Sequence, residues 1–321
     1  MKLKEFFNFI IQKGIEVDPR SKTEIQRILQ DENKKFKEVP AKEKAYFDNN
    51  RLANPYSDTR ILFGDENTQI KTIAVGIDVE GQELLLIDKL REKGKRVDLA
   101  LAHHPEGRAF ATFYQVMRLQ PELVSKFGVP INIGEGLMEP RMKEVWRRVM
   151  AQNHNRHVDI AKLLNIPYMS CHTPADNHVS DFLQKLFDKR KPQKLGDIID
   201  ILLDIPEYNS AAKLTQGPEI IVGSKEKKPG KIFVDMTGGT EGPSKYVEKL
   251  SHSGVGTLIG MHYSDDHIKE AEKNNINVVI AGHISSDVLG INLLLDKVQK
   301  KFGDLQFLEC SGFRRFRRKS S

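Results

Sequence analysis

Seven residues have the types and spacing to bind cations or move protons: His103, His104, His172, Asp176, His262, His283 and Asp287. Imidazole and carboxylate together form a usual ligand set for zinc, iron, manganese or nickel. His103 and His104 are adjacent, and Pro105 biases His104 toward an extended backbone. Neighbouring side chains on an extended segment point apart, so this pair does not easily chelate one ion. It can serve two ions, which dinuclear centres hold roughly 3.5–4 Å apart. His283 and Asp287 are four residues apart; if that turn is helical they face the same way and can share an ion. A carboxylate placed between two cations can also bridge them. His172 and Asp176 repeat the spacing, with Pro174 between them favouring a loop. On this reading His103, His104, Asp176, His283 and Asp287 are ligands of two divalent metal ions in one cleft. His172 lies beside them as a hydrogen-bond partner, and His172, His262 or Asp287 can relay protons.

These residues are far apart in the chain, and what could gather them is the strand that precedes each cluster. VDLALA (residues 97–102) leads into His103, and residues 166–170 lead into His172. Residues 256–261 lead into His262, and residues 276–281 lead into His283. In parallel α/β sheets the loops after the strands emerge on one edge, where ligands collect. His154, His157, His178, His252 and His267 lack this placement and read as surface or helix residues. Cys171 has no positioned base and reads as a small buried residue.

The remaining pattern agrees with such a sheet. The first 70 residues are charged and helical in spacing, and residues 71–78 (KTIAVGID) form a β-branched run expected to be a buried strand. A helix is expected next, over residues 82–94. Residues 107–165 read as an inserted helical segment with turns near Pro121, Pro130 and Pro140. After a polar linker at 189–194 and a helix over 198–203, the basic turn at 225–231 opens a regular alternation. Strands are expected at 232–236, 256–261, 276–281 and 305–308, with helices at 244–253, 265–274 and 288–302. Short connections between alternating strands and helices predict a mostly parallel sheet, hence an α/β fold. Lys71 to His103 and Lys231 to His262 both run strand, helix, strand, histidine, over 32 and 31 residues. Two lobes of similar build would produce this echo, and so would ordinary βαβ regularity. The glycines of Thr237–Gly242 either shape a tight strand-to-helix turn or aim amides at an anion.

Composition narrows the function classes. The chain has 321 residues, 39% hydrophobic and 29% charged, without a run approaching the ~18 apolar residues of a membrane span. The apolar stretch at Phe6–Ile11 is too short for a signal peptide and reads as part of an amphipathic helix. With only Cys171 and Cys310, no disulfide framework or structural zinc ribbon is available, and a cytoplasmic location is expected. Much of the net charge of +6 lies in the tail Arg314–Lys319. That tail is expected to be frayed and solvated, with a weak nucleic-acid contact as the sharper alternative.

The motifs Ile61–Asp65, Gly76–Asp78, Leu101–Pro105, His172–Asp176, Met236–Gly239 and Ala281–His283 resemble those of the Nif-three-like family, also labelled GTP cyclohydrolase I type 2. The resemblance covers most of the chain, and the family's dinuclear ligands fall on His103, His104, Asp176, His283 and position 287. The family usually has glutamate where this chain has Asp287. His262 stands where the family tends to be acidic and can act as an extra ligand. The resemblance implies two Nif-three-like α/β lobes, with the metals between them and a helical insertion at about 107–165. The lobes would be residues 1–190 and 191–321, assembled as a homo-oligomer, often a hexamer. The function expected is a metal-dependent hydrolase acting on a nucleotide or related small molecule, with GTP ring opening as the family's named example. The alternative is a non-catalytic metal-dependent binding or regulatory protein.

Overall fold

The computed structural model of the protein describes residues 1–318. Strands β1 (Arg60–Phe63), β2 (Thr72–Gly76), β3 (Leu99–Ala102), β4 (Tyr168–Ser170), β5 (Glu219–Val222), β6 (Lys231–Asp235), β7 (Val255–Gly260), β8 (Asn277–Ile280) and β9 (Gln306–Glu309) form two sheets. The first has the order β1-β4-β3-β2-β9 and the second β5-β8-β7-β6. All pairs are parallel except β1 with β4 and β5 with β8. Strands β2 and β3 are buried along their whole length, as expected of strands covered on both faces.

The echo in the sequence is a repeat of topology. In each sheet the first parallel strand, the second and the third lie side by side, and an antiparallel strand borders the third. Both antiparallel pairs even carry a register irregularity, at Ile61/Phe63 and at Ile220/Val222. Ordinary βαβ regularity does not produce a matching bulged edge.

Helices α1 (Leu3–Glu16), α2 (Lys22–Glu38) and α3 (Gly81–Glu92) belong to the first lobe. The insertion supplies α4 (Gly107–Thr112), α5 (Leu119–Ser125), α6 (Ile131–Met150) and α7 (Arg156–Leu163). Beyond it come α8 (Thr173–Arg190), α9 (Leu195–Leu203), α10 (Pro206–Ala212), α11 (Tyr246–His252), α12 (Asp265–Lys273) and α13 (His283–Phe302). Helices α8 and α13 lie between the sheets. Ala175, Val288, Ile291 and Leu295 join the core under the first sheet, while Val179, Leu183 and Leu289 join the core under the second. The insertion crosses to the second lobe: Leu123, Val129, Met138 and Val149 pack with Phe233, Val247 and Leu258 on its outer face.

Several details differ from the sequence reading. Pro140 does not make a turn; α6 runs through it for 20 residues. The carbonyl it deprives of a partner belongs to Gly136, which is exposed, so water can satisfy it. Pro121 sits in the first turn of α5, where the missing amide is harmless. The edge strands β1 and β5 and the short helix α10 were not expected. The last strand, β9, returns to pair with β2 in the first sheet, so residues 306–309 complete the lobe that the chain left near residue 190. The basic tail is also not frayed over its described part. Phe313 is fully buried, Arg315 reaches Asp296, and Arg318 makes two bonds to the buried Glu207. Lys319 lies outside the described residues. No helix among the described residues is long and apolar enough to cross a membrane.

Candidate metal centre

The parallel strands of both sheets end on a shared cleft. His103 follows β3, and its amide is tied to the carbonyls of Gly76 and Ile77 at 3.0 and 3.1 Å. The amide of His104 also bonds the Ile77 carbonyl, at 3.0 Å, so the histidine pair is fixed to the end of β2. His172 follows β4 and caps α8, placing Asp176 in the first turn of that helix. Gly282, at φ 111°, makes the sharp turn from β8 into α13, and His283 is its first residue. His283 and Asp287 are therefore one helical turn apart, as the spacing allowed. Asp176 sits in the first turn of α8, where the macrodipole favours negative charge.

The ring nitrogens and carboxylate oxygens converge. His103 Nε2 lies 3.4 Å from Asp176 Oδ1 and 3.4 Å from Asp287 Oδ1. His104 Nε2 and His283 Nε2 each lie 3.5 Å from Asp287 Oδ2. Donors about 2.1 Å from a common ion sit roughly 3.0–3.4 Å from one another, so these separations suit ligation. His103, Asp176 and Asp287 form one group of donors within 4.8 Å of one another, and His104, His283 and Asp287 form another. His172 also comes within this range of His103 and His104.

Burial sharpens the fit. His103 is fully buried, and Asp176 and Asp287 are 4% and 1% exposed. His103 Nε2, Asp176 Oδ1 and both Asp287 oxygens have no hydrogen-bond partner. Buried polar atoms of this kind are costly unless something satisfies them. Four such atoms within ligating distance of one another, all good donors to a divalent cation, make a candidate metal site.

The imidazoles are held by their other nitrogens. His103 Nδ1 donates to the Cys171 carbonyl at 3.1 Å, His104 Nδ1 to Asp78 Oδ1 at 2.6 Å, and His172 Nδ1 to Asp58 Oδ2 at 2.9 Å. His262 Nδ1 donates to Glu241 Oε1 at 2.6 Å, and its ring centroid lies 4.8 Å from that of His283. Such bonds fix the tautomer and leave Nε2 free, as metal-binding histidines require. Asp58, Asp78 and Glu241 were not singled out from the sequence. The substitution Asp78→Asn is expected to lower zinc affinity by about 10–100-fold without unfolding the protein, since Asp78 is half exposed. Competition with a chromophoric chelator checks this, and an unchanged affinity would contradict the role given to Asp78.

Without metal the site holds protons. Burial pushes the His103 imidazole down to about 4 and the Asp176 carboxyl up to about 7. Burial alone would lower His104 too, but the carboxylates of Asp287 and Asp78 raise it to about 10. Asp287, although its burial disfavours charge, is held low by the surrounding imidazoles. At pH 7 a cation must therefore displace the His104 proton and part of the Asp176 proton. Metal binding is expected to release at least one proton per chain, with affinity rising about tenfold per pH unit between pH 6 and 8. Calorimetry in buffers of different ionisation enthalpy measures this release; heats independent of buffer would contradict it.

None of the other histidines lines the cleft, although His267 Nδ1 lies 3.7 Å from Glu241 Oε2, on the carboxylate that holds His262. His178 is buried on α8, donating Nδ1 to the Pro174 carbonyl at 2.7 Å and accepting from Lys297 at 2.8 Å. Glu80, Glu106 and His157 form a further acidic group. There His157 Nδ1 accepts the Gly81 amide at 3.0 Å, so in the neutral ring Nε2 carries the proton and is no ligand. The Thr237–Gly242 loop lines the cleft, but it does not open a helix: α11 begins only at Tyr246. Its Gly238 and Thr240 carbonyls are pinned by Gln120 Nε2 at 2.8 and 2.6 Å, a contact across the lobes.

No family model and no curated protein matches the chain. Among solved structures, a NIF3 superfamily protein from Sphaerobacter thermophilus matches with a TM-score of 0.68 at 25% identity, over 80% of this chain and 91% of that one. Reduced HcgD from Methanocaldococcus jannaschii matches at 17% identity over 78% of this chain and 87% of that one, with a TM-score of 0.48. With its two like-ordered sheets and the first of these matches, the chain has the fold of NIF3 superfamily proteins, and its histidine and aspartate clusters make a candidate metal site within that fold.

Proposed function

We propose that the protein is a metal-dependent hydrolase that holds two divalent cations, one by His103 and Asp176, the other by His104 and His283, with Asp287 shared. Asp287 is the main support for this reading. Both of its oxygens are buried and unpartnered, and they face imidazole nitrogens of two different groups. The mixed nitrogen and oxygen donors suit zinc, iron, manganese or nickel.

Held there, the cations would act as Lewis acids and make water a usable nucleophile near neutral pH. The chain's own groups supply the rest. His262, about half exposed and oriented by Glu241, can take or return a proton at Nε2. Thr237, Thr240 and Tyr263 line the same cleft and can orient a bound molecule. Asp58 and Thr59 hold His172 at 2.9 and 3.0 Å, keeping its ring beside Asp176. The substrate is a small molecule with a hydrolysable bond, and nucleotide ring opening, phosphoester cleavage and cyclic-amide cleavage all fit the proposal.

Protein loaded separately with each of the four metals and assayed against nucleotides, phosphoesters and cyclic amides tests it. Turnover is expected with at least one metal, lost on chelation and slowed about 10²–10⁴-fold by His262→Gln with metal content unchanged. Fully loaded protein that turns over none of these classes would argue for a binding protein instead.

A further inference from the structure

The two lobes share topology, but the segments before their antiparallel edge strands do different things. In the first lobe, Asp58 and Thr59 close against His172 just ahead of β1. In the second lobe the corresponding stretch, residues 215–217 ahead of β5, leaves a cavity of about 550 Å³ beside His283. No carboxylate backs His283 from behind among the described residues, whereas Asp58 backs His172 and Asp78 backs His104. Met261 and His283 line both this cavity and the metal cleft, so the two spaces adjoin.

The lining has a definite chemistry. Leu214, Ile221 and Ile284 are 71%, 41% and 36% exposed, an apolar group turned to solvent around one opening. A cavity of this size with mostly apolar walls and a few polar groups is what small organic ligands occupy. Of the charged residues lining it, Glu207 is already taken by Arg318 at 2.9 and 2.7 Å and by Asn292 at 3.1 Å. Glu219 is exposed on the edge strand. Arg314 differs: its side chain is 60% exposed, bonded only to the neighbouring Phe313 carbonyl, with Glu309 at 4.0 Å. The cavity thus combines apolar walls, one loosely held guanidinium and a side chain of the metal centre.

We infer that this cavity is the substrate pocket and that it takes a small amphipathic anion. An apolar or aromatic body rests against Leu214, Ile221 and Ile284, and a single carboxylate or phosphoryl group meets Arg314. The body brings its hydrolysable bond to the centre at His283. This inference rests on the hydrolytic reading of that centre. It also narrows it, because one guanidinium in a cavity that Glu219 also lines suits a singly headed anion better than a triphosphate.

The test uses the full, metal-loaded chain. Binding of 8-anilinonaphthalene-1-sulfonate, itself an aromatic monoanion, is followed by fluorescence and competed with 1-naphthyl phosphate, 1-naphthaleneacetate and neutral 1-naphthol. Ile221→Trp fills the cavity from an exposed edge position, and Arg314→Gln removes the cation; circular dichroism and metal content confirm that both variants remain folded and loaded. Ile221→Trp is expected to weaken all ligands at least about tenfold. Arg314→Gln should weaken the two anions about tenfold and spare naphthol. The better of the two anions identifies the head group. Unchanged affinities in both variants overturn the pocket, as does hydrolysis of any substrate at the wild-type rate by Ile221→Trp. Loss of binding in the variants without any turnover by wild type upholds the pocket and sinks only the hydrolytic reading.

Discussion

Asp287→Asn is expected to empty the centre, reducing bound metal from the proposed two ions per chain to well under one. The amide keeps the volume of the carboxylate, so packing around α13 is preserved and the loss is chemical. It removes the charge and turns one oxygen into an NH₂ group, which donates hydrogen bonds and does not ligate. Because the two oxygens of Asp287 face His103 on one side and His104 and His283 on the other, a single change weakens both donor groups. The effect should exceed the roughly 10–100-fold cost of changing a supporting residue. Stability should track the metal. A ligand present at 100 times its Kd stabilises by about 2.7 kcal/mol, so chelation should lower the Tm of wild type and leave that of Asp287→Asn nearly unmoved. Asp287→Glu keeps the charge and should retain metal. Metal content measured by emission spectroscopy decides the matter, and a full complement in Asp287→Asn would refute the shared-ligand account.

Gly290→Ala should both destabilise the protein and loosen the site, although it lies outside the donor set. A Cβ at position 290 would sit 2.5 Å from the Ala175 carbonyl oxygen and 2.9 Å from its carbon. Both are backbone atoms of the first turn of α8, so neither can rotate away. The helices must separate, and overpacking of this kind costs about 1–3 kcal/mol or more. The ~1 kcal/mol by which alanine favours a helix over glycine offsets only part of that. The contact lies next to Asp176 and one turn beyond Asp287, the residues whose oxygens are both 3.4 Å from His103. Separation there pulls the carboxylates apart. A net loss of about 2 kcal/mol in chemical denaturation is expected, together with weakened metal binding. A variant as stable as wild type with unchanged metal affinity would show that close helix packing does not set the site.

Much of this arrangement was legible in the sequence because strand ends and helix starts obey simple periodicities. VDLALA before His103 and NVVIAG before His283 are short apolar runs of the kind buried strands carry, and parallel strands deliver their trailing loops to one edge. The same rule, applied to KTIAVGID, would have singled out Asp78, which lies two residues beyond the end of β2 and holds His104. Asp58 was harder. It precedes β1, and it reaches His172 only because β1 runs antiparallel to β4, with Arg60 opposite Ser170. A four-residue edge strand with a bulge carries too little alternation to reveal its direction. The tail misled for a related reason. Its arginines look like solvated charge until Asp296 and Glu207, close only in the fold, are seen to receive them.

Anomalous diffraction from crystals of zinc-loaded protein addresses the shared centre most directly. The account predicts two peaks flanking the Asp287 carboxylate, one beside His103 and Asp176, the other beside His104 and His283. A single peak away from Asp287, or none in a protein that binds zinc in solution, would contradict it.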